Sequence, residues 1–202
     1  MRWPKWRPFS YPITKSLNCP ISLATLFTHA LVAASLGQAG KPGWRQDWRF
    51  WYVAVLCSIL PDADVLGFRV GIHYGDLWGH RGMTHSLLFA AIIAVCMALR
   101  FRYPVSDRWK LGALLFLITA SHGLLDAMTD GGLGVAFFSP FNRQRYFLPW
   151  TPIHVSPIGA SGFFSARGLD VIWSEIVWIW GPAAVLGVVS YALAHRLREK
   201  GR

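Results

Sequence analysis

Cysteine is nearly absent from this sequence, and negative charge is scarce. The three cysteines, Cys19, Cys57 and Cys96, lie far apart with no C-x-x-C pair, which excludes a disulfide framework and a cysteine-held metal site. Asp and Glu number 10 against 20 Lys and Arg, leaving a net charge of +10. Charged residues of both signs reach only 15% while 53% are hydrophobic, a balance foreign to soluble domains. No repeat or low-complexity tract divides the 202 residues, so they read as a single membrane-embedded domain. Within it, 1–20 form a basic cytoplasmic N-terminal segment and 195–202 a basic tail. The first apolar block ends in GQAGKPG rather than a small-residue cleavage site, and is expected to stay as a span.

Apolar residues gather in blocks: Ile21 to Leu36, Phe50 to Leu60, Ser86 to Leu99, Leu111 to Leu125 and Val171 to Ala194. A span needs about 20 apolar residues. The last block suffices alone, three others reach that length only with their flanks, and Phe50 to Leu60 is too short. Basic side chains cluster beside the blocks rather than on one solvated face, which argues against nucleic acid. Arg2, Lys5, Arg7 and Lys15 precede the first block; Arg100, Arg102, Arg108 and Lys110 separate the third and fourth; Arg196, Arg198, Lys200 and Arg202 close the chain. All three clusters fall on the cytoplasmic side only if four blocks cross and the second does not. The predicted fold is therefore all-α, an integral membrane helical bundle of about four spans plus one short half-crossing or surface helix. Trp residues near the block ends suit interfacial belts, and the irregular loop from Gly131 to Gly168 is expected to pack over the helix ends.

On this topology the imidazoles and carboxylates collect at one membrane face, the outer one. His29 lies in the outer half of the first span. Asp62 and Asp64 follow the short second helix, which Pro61 should end at Leu60. His80 stands in a loop that Gly79 and Gly82 allow to swing beside His85. His122 and Asp126, at i and i+4, share a helix face, and Glu175 starts the last span. A carboxylate near a helix C-terminus inside a span is unfavourable on two counts and calls for a cation. Imidazole with carboxylate suits zinc, manganese or iron better than calcium or magnesium. More ligands are present than one tetrahedral ion needs, which points to two or more ions, with some groups orienting others. His73 and His154, in outer loops, are candidate extra ligands. Arg81 needs an anion beside it, and a bound phosphate with Arg143 or Arg145 as further clamps would serve.

The segments LFTHALVAASLG, SILPDADVLG, GHRGMTHSLLF, SHGLLDAMTDGG, SPFNRQRYFLPW and HVSPIG together resemble the YdjM family of bacterial inner-membrane proteins, from about residue 25 to 178. PDxD, HRGxTHS and HxxxDxxT, in that order, carry the resemblance. It implies a metal-dependent hydrolase of the inner membrane. A weaker similarity reaches zinc-dependent phospholipase C and the single-strand nucleases of its fold. There His122 and Asp126 look like the H-x-x-x-D pair, Asp62 or Asp64 like the bridging Asp, and Glu175 like the late Glu. The membrane-embedded fold and the missing N-terminal Trp ligand depart from that pattern.

These readings converge on hydrolysis of a phosphoester, lipid or lipid-linked, by metal-activated water. The metal ligands would be His29, Asp62, Asp64, His80, His85, His122, Asp126 and Glu175. Asp62 or Asp64 would bridge ions or act as general base, and Arg81 would hold phosphate. The competing expectation is a metal-ion carrier, which calls for polar residues at several depths; the inner halves offer few, such as Ser22, Thr25 and Ser190, and no carboxylate. Haem held by paired histidines would leave the carboxylates without purpose, so none is expected.

Overall fold

The computed structural model describes residues 23–155, 166–185, 187–189 and Arg196. The N-terminal segment at 1–20, and the tail at 195–202 apart from Arg196, lie outside the described residues. Within them every regular element is helical, and the only β pairings are the isolated bridges Thr129 to Ile153 and Val135 to Tyr146. Helix α1 spans Leu23–Gly37, the single turn α2 Pro42–Arg45 and α3 Trp48–Ile59, which tightens into a 3-10 helix, Leu60–Val70. A 3-10 turn, Met83–His85, leads into α4 at Leu87–Arg100; α5 is Val105–Ala127; and α6, Ala166–Glu175, continues as a π turn, Ile176–Trp180.

Helices α4 and α5 form the tightest pair, and α1, α3 and α5 pack mutually. The reason lies in side-chain size. On α4 the buried residues are Ala90, Ala94 and Ala98, one turn apart, while Ile92, Val95 and Leu99 point outward. Small residues inside and large apolar residues outside suit a helix between protein and lipid. Gly112 of α5 faces Ala98 of α4, and a Cβ there would make an ordinary contact at 3.6 Å with that of Ala98. Two helical stretches, Val105–Ala127 with 23 residues and Gly168–Val189 with 22, are long and apolar enough to cross a bilayer. The first reaches about 34 Å against a hydrocarbon core of about 30 Å. The apolar helices Leu26–Gly37 and Leu87–Arg100 are shorter. At 12 residues, α3 does not cross by itself, and it packs against α1 and α5.

The α-helix before Pro61 ends at Ile59, one residue earlier than the sequence predicts, but the chain does not leave helical geometry there. Proline lacks an N–H, which costs nothing at the first position of a new helix. Capping marks two other starts: the Asp47 carboxylate accepts from Arg49 N at 2.9 Å, and the Ser86 hydroxyl from Phe89 N at 3.1 Å. Along α5 the buried stripe begins apolar with Leu111, Leu114, Leu115 and Ile118, and ends polar with His122 and Asp126. The described part of the loop after α5, up to residue 155, packs over helix ends: Leu87 N donates to Phe137 O, Ala136 N to Arg81 O and Leu148 N to Ala127 O, while 156–165 lie outside the described residues.

Candidate metal centre

The polar end of α5 meets the PDxD helix and the HRGxTHS loop in the bundle interior. His122 is fully buried, and its Nδ1 lies 2.7 Å from the carbonyl of Ser58 on α3. A carbonyl only accepts, so Nδ1 carries the proton and Nε2 presents its lone pair. His85 is set in the same sense. Thr84 gives its hydroxyl hydrogen to Asp64 Oδ2 at 2.6 Å, so the His85 Nδ1, 3.1 Å from Thr84 Oγ1 and 3.2 Å from Asp64 Oδ2, is a donor. Both Nε2 atoms then face one another at 3.1 Å, with only a proton or a cation able to stand between them.

Two carboxylates complete the group. Asp62 Oδ1 lies 3.6 Å from His85 Nε2 and 3.3 Å from His122 Nε2, and Asp126 Oδ2 lies 3.1 Å and 3.7 Å from the same atoms. Metal bonds of about 2.0–2.1 Å to nitrogen and oxygen give a tetrahedron edges of about 3.3–3.4 Å. The four ligand atoms thus stand close to the spacing a single ion imposes. Asp126 Oδ2 and both ring nitrogens of His29 have no hydrogen-bond partner among the described residues, although all three atoms are buried. Orphaned buried polar atoms are costly, and a cation would answer Asp126 Oδ2 and one ring nitrogen of His29. His29 stacks on His122 at 3.7 Å between centroids, with Nε2 3.9 Å from Asp126 Oδ1.

A second group, Asp64, His80 and His85, adjoins the first. Asp64 receives His80 Nδ1 at 2.8 Å on one oxygen, and Arg81 N at 3.2 Å and Thr84 Oγ1 at 2.6 Å on the other. These three donors fix the carboxylate and, through it, the rings of His80 and His85. Burial opposes its ionisation, but hydrogen bonds from His80 and His85 hold its pKa down at about 2. Burial likewise disfavours charge on His85, yet Asp126, Asp62 and Asp64 together raise its pKa well above the ordinary 6.5. A ring of carboxylates wants positive charge at its centre.

The loop that delivers these groups depends on two glycines. A Cβ on Gly79 would stand 2.1 Å from His73 O, and one on Gly82 2.4 Å from Leu77 O. Between them Arg81 adopts φ +62, a left-handed conformation uncommon outside glycine. That twist drives its side chain inward, where Nε lies 3.3 Å from Asp126 Oδ2 and one terminal nitrogen donates to Thr129 Oγ1 at 3.0 Å and Gly131 O at 2.9 Å. Asp126 thus supplies negative charge beside Arg81 from within the protein.

Residues 24–198 match the family described as YdjM inner membrane protein. The chain belongs to the YdjM family. It is also 36% identical, over 165 residues, to inner membrane protein YbcI of Escherichia coli (strain K12), covering 81% of this chain and 95% of that relative. No solved structure matches. A bilayer is accordingly the environment of this YdjM protein.

Other candidate residues of the YdjM chain stand apart from the four-atom group. Glu175, though buried, accepts the Thr28 hydroxyl at 2.6 Å, and Thr28 in turn accepts from Trp180 Nε1 at 2.8 Å. It ties α6 to α1 next to His29. Arg145 spends its terminal nitrogens on the carbonyls of Tyr74, Asp76, His80 and Gly134, bracing the loop. Arg143 is exposed. His73 and His154 are exposed too, each paired with its own carboxylate, Asp76 at 3.5 Å and Asp130 at 2.8 Å. Three contributors escape the sequence reading: Thr84, the Ser58 carbonyl and Thr129. Thr84 and Thr129 lie inside the motifs and were legible as motif positions, whereas a backbone carbonyl leaves no trace in residue identity.

Proposed function

We propose that this YdjM-family protein is a membrane-bound metal-dependent hydrolase acting on phosphoester bonds of a lipid or lipid-linked substrate. The observation that carries the reading is the quartet of Asp62, His85, His122 and Asp126, with ligand atoms near tetrahedral spacing and both imidazoles oriented from behind. These four would hold the ion, zinc or else manganese or iron, with His29 against its flank. A bound ion of this kind supplies Lewis acidity and a water that ionises near neutral pH. A second ion would fall to Asp64 and His80 and replace the hydrogen bond between them, because His85 has its Nδ1 protonated and its Nε2 turned to the first ion.

The chain's own groups divide the remaining work. Asp64 and Thr84 orient His80 and His85. Arg81 balances the charge of Asp126 and offers positive charge beside the reacting group. Asp62 and His80, with side chains 12% and 19% exposed, are the edge through which a substrate enters, since the other ligands are sealed. The carrier reading is weaker because the buried stripe of α5 beyond His122 is almost wholly apolar, with Thr119 turned back on Leu115 O, so the cluster has no polar continuation along that helix.

The cluster is proposed to open on the periplasmic side of a four-span bundle. Cysteine labelling at Gly132 and at the tail tests this, with opposite faces expected and same-side labelling refuting it. The activity is tested by a screen of phosphomonoesters, phosphodiesters and lipid phosphates with and without chelator. Turnover that chelation abolishes and added metal restores is the expected result. Metal accumulation in vesicles with no compound hydrolysed would establish the carrier instead.

A further inference from the structure

A cavity of about 140 Å³ lies beside the turn that supplies Arg81, and none of the four proposed ligands lines it. Gly82 forms part of its wall, along with Asp76, Ser139, Arg143 and Arg145. Three features of this lining point to an anion. The Ser139 hydroxyl is buried yet has no hydrogen-bond partner among the described residues. Arg145 is held by carbonyl oxygens and the face of Tyr74, 5.6 Å away, and makes no ion pair among the described residues. Arg143 has no partner among the described residues. The one acidic group, Asp76, is engaged by His73, whose N–H donates to Oδ2 at 2.8 Å and whose ring nitrogen lies 3.5 Å from it.

The unpartnered guanidinium of Arg143, the positive charge of Arg145 held only by neutral carbonyls, and an idle buried hydroxyl match a small oxyanion with several acceptor oxygens. The space is well below the roughly 300 Å³ at which drug-sized pockets begin, so it admits a single headgroup-sized fragment. We propose that this cavity is a phosphate-binding subsite, adjacent to the metal cluster and separate from it. It shares one turn with the cluster: Arg81 projects into the carboxylates, Gly82 lines the cavity, and the His80 carbonyl is the point where Arg145 grips the loop. The binding assignment stands on the cavity's own residues, whereas its use for a second phosphate of the substrate rests on the hydrolase reading above.

Full-length protein in phosphatidylcholine nanodiscs is titrated with inorganic phosphate, and a parallel set of nanodiscs carries phosphatidic acid, with retained lipid read by native mass spectrometry. The variants are Ser139→Ala and Arg143→Gln. Arg145 is left alone because it braces the loop. Each variant is expected to weaken phosphate or phosphatidic acid binding about tenfold, the effect of losing one charge-assisted hydrogen bond, while metal content by elemental analysis stays at the parent level. Binding of free phosphate assigns the site to a soluble anion, and retention of phosphatidic acid alone assigns it to a lipid headgroup. Failure of both probes to bind, or equal affinity in parent and variants, overturns the proposal. A parent protein that binds phosphate through these residues but holds no metal would sink the hydrolase reading but not the subsite.

Discussion

Asp126 is asked to do two things at once, and Asp126→Asn separates them. Its Oδ2 lies among the ring nitrogens of the cluster, and the same carboxylate neutralises Arg81, which is 5% exposed against 2% for Asp126. Asparagine keeps the size and one oxygen but removes the charge. A buried guanidinium stripped of its carboxylate costs roughly 3–5 kcal/mol, whereas removing both members of a buried pair is often near neutral. The single variant should therefore unfold at markedly lower temperature or denaturant concentration than the parent. The double variant Arg81→Met with Asp126→Asn should recover most of that loss. Metal content should behave differently, falling in the single variant and staying low in the double, because replacing Arg81 does not restore the missing ligand. Thermal unfolding in nanodiscs and elemental analysis of the same preparations measure both quantities. Asp126→Asn destabilised by less than about 1 kcal/mol, or a double variant holding metal at the parent stoichiometry, would refute the reasoning.

Alanine at His85 or His122 should abolish bound transition metal, while alanine at His73 or His154 should leave it unchanged; elemental analysis of the four proteins decides the matter, and equal losses would place the ion elsewhere. Gly79→Ala pushes a Cβ to within 2.1 Å of His73 O, so the HRGxTHS loop must shift; a loss above about 2 kcal/mol in unfolding is expected, together with weakened metal retention. Metal affinity should rise with pH. Without an ion, His85 keeps its second proton above the ordinary 6.5 because Asp126, Asp62 and Asp64 outweigh its burial, and binding must expel that proton. Protonation therefore competes below the raised pKa and ceases above it, which predicts about a tenfold gain per pH unit for one proton through the neutral range. Chelator competition at several pH values measures the slope, and an affinity independent of pH would contradict it.

Several parts of this protein are legible in its residues alone. Large apolar blocks flanked by basic clusters describe a helical membrane protein whatever the packing, because burial in lipid depends on composition alone. The pairing of His122 with Asp126 follows from helix periodicity, a local property. Gly79 and Gly82 mark a loop that folds tightly enough to bring His80 beside His85, and their ring centroids lie 5.5 Å apart.

Other features depend on contacts between segments far apart in the chain, which carry no signature in one sequence. Residue types alone did not rank the eight candidate ligands. The fold placed Asp62, His85, His122 and Asp126 around one centre, turned Asp64 into the group that orients two imidazoles, and sent Glu175 to Thr28 instead. It also answered the charge of Arg81 from within, through a left-handed backbone turn that no residue preference suggests. Composition and period thus determined that helices form, that the chain is a membrane protein and which polar groups its helices carry. Only the tertiary arrangement decided which of those groups stand close enough to share a cation, because that depends on distances of about 3 Å set by packing between helices.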